Sequence, residues 1–173
     1  MEVTFEPVNP TSIDVYIQTG LQSYDEHYLY LWENKNPESY LSISFTHKTV
    51  AKELADSSSE NYILKVDGNV AGVLKISSNK GYDQWIANDS LYLHRIYLLS
   101  AFSGKGIGGA TLKFVFNRAR ELNKKVVWLE AMKTSKALAF YQKNGFKIVS
   151  ETTIELKGIK PSEKEMWILT KEL

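Results

Sequence analysis

The chain has 173 residues, enough for one domain with a sizeable core, and its 21 Lys and Arg against 20 Asp and Glu leave a formal charge of +1. So even a balance argues against a general nucleic-acid or membrane-surface binder, which carries a basic excess. The absence of cysteine excludes disulfides, thiolate metal sites and a cysteine nucleophile, and three well-separated histidines argue against a histidine-rich metal cluster.

The N-terminus "MEVTFEPVNP" lacks the basic-then-apolar pattern of a signal peptide, and no apolar run approaches the ~18 residues of a membrane span. We therefore expect a cytoplasmic protein with one domain over residues 1–173 and no metal, nucleic-acid or membrane partner. In chain order, "EVTFEPV" reads as a short strand. "TSIDVYIQTGLQSY" sets Ile13, Tyr16, Ile17, Leu21 and Tyr24 at helical spacing. "DEHYLYLWENKNPESY" is aromatic-rich and broken by Pro37. "THKTVAKELADS" offers Thr46 as an N-cap, with Val50 and Leu54 on one face. "YILKVDGNVAGVLKIS" is a hairpin pattern, two β-rich runs around Asp67-Gly68-Asn69. "NKGYDQWIANDS" reads as a loop and "LYLHRIYLL" as a third long strand.

Next comes "FSGKGIGGATLKFVF", with Gly104, Gly106, Gly108 and Gly109 at the mouth of a helix whose apolar stripe is Leu112, Val115, Phe116, Ala119 and Leu122. Asn123 can close that helix in a left-handed turn. "KVVWLE" is a buried-strand pattern and "TSKALAFYQKNGF" a short helix ended by Gly145. "FKIVSETTIEL" and "EMWILTKEL" are closing strands around the turn "KGIKPSEK". One strand–helix–strand unit flanked by antiparallel pieces predicts an α+β, mixed-sheet fold rather than a doubly wound one.

The glycine loop carries the first functional signal. A helix N-terminus presents unpaired N–H groups and a partial positive charge, and glycines let the backbone come close to a ligand. Lys105 adds a cation, so the segment reads as a phosphate or pyrophosphate cradle. Gly104, Gly106 and Gly109 also match the dinucleotide fingerprint, with Glu130 where a ribose-binding acid would stand. A dinucleotide-binding oxidoreductase needs further parallel strands, however, and an antiparallel hairpin precedes this loop. No Gly-Lys-Ser or Gly-Lys-Thr ends the loop, which excludes a phosphate-loop nucleotide hydrolase.

"LHRIYLLSAFSGKGIGGATL" resembles the acetyl-CoA signature of the GNAT superfamily of N-acetyltransferases, and "WLEAMKTSKALAFYQKNGF" resembles that family's second motif. The spacing between the two fits, and the resemblance is specific over roughly Leu91 to Phe146. "YLSISFTHKTVAKELA" and the whole layout are most similar to bacterial polyamine acetyltransferases of the PaiA type. Three positions depart from the pattern. Ser103 replaces the usual Gln or Arg, Ser100 a frequent Pro, and Thr134 the second motif's Asn.

The resemblance implies a GNAT-like, largely antiparallel mixed sheet of six to seven strands with helices on both faces. It implies acetyl-CoA held by the amides of Gly104, Lys105, Gly106, Ile107, Gly108 and Gly109, with Ile96, Tyr97, Leu98 and Thr134 along the pantetheine arm. One N–H of Ile96, Tyr97 or Leu98 would serve the thioester oxygen. Tyr141 would be the general acid for the departing thiolate. Its reference pKa of about 10 lies near a thiol's of about 8.5.

The base is left open between Glu130, at a strand end, and His94, whose ordinary pKa of about 6.5 suits neutral pH. By period two His94 should share a face with Tyr92, Ile96 and Leu98, while Arg95 and Tyr97 point the other way. His27 and His47 read as non-catalytic. For the acceptor, Tyr24, Tyr28 and Trp32 could line a pocket or pack on the sheet, while Asp25, Glu26 and Glu33 could attract a cationic amine such as a polyamine. A non-catalytic acyl-CoA-binding regulatory module remains an alternative, against which Tyr141 and Glu130 count. A homodimer is compatible with the sequence.

Overall fold

The computed structural model describes residues 1–173. A short strand, β1 (Val3–Pro7), leads into α1 (Ile13–Tyr28), which turns Tyr16, Ile17 and Tyr24 inward. Two single 3₁₀ turns follow, at Leu29–Leu31 and Glu33–Lys35, and Pro37 then caps α2 (Glu38–Ser44). Thr46 starts α3 (His47–Ala55), its hydroxyl accepting from the Thr49 amide at 3.1 Å. The hairpin of β2 (Ser59–Val66) and β3 (Asn69–Ser77) turns on Asp67 and Gly68, both with φ positive at 48° and 82°. That pair matches the right-handed twist of the strands it joins.

β4 (Ser90–Leu98) runs to the glycine loop and α4 (Ile107–Glu121), which ends at Asn123 with φ 56°. β5 (Val126–Met132), α5 (Ala137–Lys143), β6 (Lys147–Thr153) and β7 (Glu165–Glu172) complete the chain. The seven strands lie in the order β1-β2-β3-β4-β5-β7-β6. Only β4 and β5 are parallel. This is the expected mixed, mostly antiparallel sheet, and a doubly wound dinucleotide fold is excluded by it.

Both faces are covered. On one, Leu64, Leu74, Leu91 and Leu93 pack against Ile107, Leu112, Val115 and Ala119 of α4. On the other, Ile63 and Val73 pack against Tyr16 and Ile17 of α1, Phe45 and Val50. Each large side chain buried in this way contributes about 1.5–3 kcal/mol.

Two irregularities of β4 build the site. Lys75 pairs with Arg95 while Ile76 pairs with Leu93, so His94 is an extra residue, a β-bulge. The bulge shifts the side-chain alternation by one. Tyr92 and His94 share the α1 side of the sheet, their rings 4.3 Å apart, and beyond the bulge Arg95 and Tyr97 occupy that same side. Ile96 and Leu98 pack into the opposite, α4-side core. The period-two expectation that grouped His94 with Ile96 and Leu98 is thereby corrected. The second irregularity is the early end of the parallel ladder, which pairs only Ser90–Tyr92 with Val126–Trp128. The carboxyl halves of β4 and β5 diverge beyond it.

Candidate active site

A cavity of about 500 Å³ fills the wedge between the two strands. Its walls come from β4, from β5 at Glu130 to Met132, from the start of α5, and from aromatics of α1 and the turn after it. The far wall is the connection from β6 to β7, including Ile154, Leu156 and Ile159. That connection is stapled to the segment after α1. Glu33 N donates to Gly158 O at 2.8 Å, Lys160 N to Leu31 O at 2.9 Å, and Ser39 Oγ to Lys157 O at 2.7 Å, around a bridge between Trp32 and Ile159.

The glycine loop lies at the end of β4. The amides from Gly104 to Gly109 donate to no protein acceptor, the first being that of Ala110, which reaches Gly106 O at 3.1 Å. Gly106 caps α4 with φ 82° and Gly104 has φ 74°, a region in which side-chain-bearing residues are strained. Ile107 is buried and anchors the turn, while Lys105 is exposed. The C-terminus of α1 fixes the approach to the loop. Glu26 accepts from the Ser100 amide at 2.6 Å, which holds its carboxyl below the usual range, and His27 Nε2 lies 3.0 Å from Leu98 O.

Gly108 packs under the Phe140 ring of α5, where a Cβ would stand 3.0 Å from the ring. This contact seats the neighbouring Tyr141 on the cavity wall. Burial pushes the Tyr141 phenol up, so it keeps its proton across the working pH range. Glu130 also lines the cavity, its Oε2 accepting from Tyr92 OH at 2.7 Å. His94 lines the same space, with Nε2 2.7 Å from Ser77 Oγ. Burial, reinforced by the cations of Lys75, Arg95 and Lys80, pushes its pKa down to about 2. Burial and these cations disfavour the imidazolium, which weakens His94 as a proton acceptor.

Tyr24, Tyr28 and Trp32 all line the cavity and also pack, with Trp32 Nε1 donating to Tyr24 OH at 2.9 Å. The acids of that stretch do not join them. Glu33 and Asp25 are exposed away from the cavity, and Glu26 is engaged with Ser100. Thr134 is exposed and bonds Glu163, while its neighbour Ser135 faces the cavity. Ile96, Tyr97 and Leu98 pair with β3 on one edge only, since β5 has already diverged. The sequence reading also missed Arg95, Tyr40 and the 154–159 wall.

A profile of the acetyltransferase (GNAT) family matches residues 18–146. The chain belongs to that family. It is 31% identical over 123 residues to an uncharacterised N-acetyltransferase encoded in the pepI 3′ region of Lactobacillus delbrueckii subsp. lactis, covering 69% of this chain and 71% of that protein. Its fold is similar to that of a PaiA N-acetyltransferase from Thermoplasma acidophilum in complex with coenzyme A, with a TM-score of 0.79, 17% identity and all of both chains covered. It is also similar to a spermidine N-acetyltransferase from Vibrio cholerae in complex with CoA and spermine, with a TM-score of 0.73, 12% identity, and 98% and 95% of the two chains covered. As a GNAT acetyltransferase, this chain is an acyltransferase with the family's mixed sheet. No helix is long and apolar enough to cross a membrane.

Proposed function

We propose that the protein is an acetyl-CoA-dependent N-acetyltransferase of a primary amine, acting as one domain by direct attack in a ternary complex. One observation carries the reading: the unpaired amides of Gly104 to Gly109 stand beside a wedge whose wall holds both Tyr141 and Glu130. Those amides fit a pyrophosphate, which needs several N–H donors at a helix N-terminus and no side chain in the way. The single-edged backbone of Ile96 to Leu98 leaves room for an extended arm and an amide for the oxyanion. Acetyl-CoA supplies the activated acyl carbon.

Glu130 takes the proton of the incoming ammonium, directly or through water, with Tyr92 holding its carboxylate in place. Tyr141 donates its O–H to the sulfur as charge develops there. Because burial raises its pKa well above that of a thiol, Tyr141 keeps its proton and stabilises the departing thiolate by a hydrogen bond, and the thiolate takes its proton from solvent after release.

The test is a thermal-shift titration with acetyl-CoA and with NAD, combined with a thiol-release assay on an amine panel. Acetyl-CoA raises the melting temperature because only the folded loop binds it. Gly106→Val, shown to be folded by circular dichroism, loses that shift. A shift with NAD alone, or an undiminished shift in the variant, overturns the reading.

A further inference from the structure

The wedge contains a cation that the acetyl-transfer reading does not use. Arg95, beyond the β4 bulge, lines the cavity yet is only 7% exposed. Its Nε and Nη1 are buried without a hydrogen-bond partner, and its neighbour is the face of Phe45, with the guanidinium carbon 4.8 Å from the ring centre. A guanidinium stays charged at any physiological pH, and a buried charge without hydrogen-bond partners is costly. The adjacent carboxylate, Glu53, is already paired with Lys75. Lys75, Glu53 and Arg95 together leave one positive charge over.

The opposite wall carries the opposite sign. Glu130 stands on β5, while Glu155, on the connection from β6 to β7, is exposed at the rim and paired with Lys164 at 3.0 Å. The cavity thus presents the Arg95 cation on the β4 side and the Glu130 carboxylate on the β5 side, the complement of a zwitterion. We propose that the acceptor is a small amino acid, an amine that also bears a carboxylate, and that Arg95 binds the carboxylate while the amine faces Glu130.

This rests on the acetyltransferase reading and narrows it. A polyamine would bring further positive charge up to Arg95, and the acids that pointed to one lie outside the cavity. The volume of about 500 Å³ suits a ligand of this size. The aromatic lining of Tyr24, Tyr28 and Tyr40 favours an apolar or aromatic side chain on it. The guanidinium could instead serve Glu53, whose Oε2 is also unpartnered. A purely structural role of that kind predicts no discrimination between acceptors.

The experiment compares acids with their amides as acceptors for the wild-type protein: L-phenylalanine with L-phenylalaninamide, β-alanine with β-alaninamide, and spermidine besides. A charged hydrogen bond of this kind gives about a 10- to 100-fold preference in kcat/KM for the acids. Arg95→Gln brings that ratio close to one, chiefly through KM, and leaves the acetyl-CoA thermal shift unchanged. Arg95→Lys keeps part of the preference and serves if the Gln variant does not fold. Amides or spermidine used as well as the acids overturn the proposal, as does silence toward every acid or loss of the acetyl-CoA shift in a folded Arg95 variant. In each of these cases the wild-type acetyl-CoA shift persists. Its absence, with no thiol release from any amine, overturns instead the acetyltransferase reading beneath.

Discussion

Acidification from pH 6.5 to 5 should destabilise this protein through one residue. In the unfolded chain His94 titrates near its ordinary pKa of about 6.5. In the folded protein, burial and the cations around it push the value down to about 2. The folded value lies below the unfolded one, so the contribution is fully present above about pH 6.5 and is lost progressively from there toward about pH 2. Below pH 6.5 the unfolded chain takes up a proton that the folded protein refuses, and each pH unit then costs about 1.4 kcal/mol.

Between pH 6.5 and 5 that amounts to about 2 kcal/mol, a large part of a typical stability of about 5–15 kcal/mol. Glu26 and Asp56, whose carboxyls are held low by Ser100 and Ser58, act in the same direction but only below the ordinary carboxylate range of about 4. The assay is urea denaturation at several pH values for the wild type and for His94→Gln, which keeps an amide within reach of Ser77. The wild type should lose about 2 kcal/mol more than the variant over this window. Parallel pH dependences would refute the reasoning, since His94 would then titrate freely in the folded protein and return as a candidate base.

Two further outcomes follow from the site. Tyr141→Phe removes one oxygen and keeps the ring, so kcat should fall by about tenfold or more while the acetyl-CoA thermal shift stays normal; unchanged turnover in a folded variant, with chemistry limiting, returns Tyr141 to a packing role. Gly72→Ala should destabilise by about 1–3 kcal/mol in urea, because the new Cβ would meet Tyr97 O at 2.2 Å across the strand pair, and a neutral result would show that β3 can shift at that point.

Local signals in the sequence were reliable wherever the backbone chooses its own conformation. Asp67-Gly68 at the hairpin, Thr46 before α3 and Asn123 after α4 each act where neighbouring residues alone decide. The glycine loop is legible for the same reason. The alternation along β4 was not, because a bulge depends on the register of β3, and that register is set by residues far away in sequence. His94 was consequently put on the wrong face relative to Ile96, and Arg95 was turned away from the cavity it lines. The acids of "DEHYLYLWENK" misled in another way. Composition places charge near the aromatics in sequence, but α1 sends Asp25 outward while Tyr24 and Tyr28 turn in, and the turn after Trp32 leaves Glu33 exposed. Nothing local announces that residues 154–159 double back to close the wedge.

That closure bears on how the molecule comes into being. The staple joins Ser39 to Lys157, 118 positions apart, and Tyr30 to Lys160, 130 apart. Contacts of such separation are reached only after the loop between them has been closed, at an entropic cost that local turns do not carry. The glycine turn and α4 are local structures that can form early, whereas the acceptor wall depends on β6 and β7 docking beside β5. The acceptor wall is thus the part of the site that depends on the chain segments most distant in sequence, whereas the anion cradle is set by a turn and the helix that follows it.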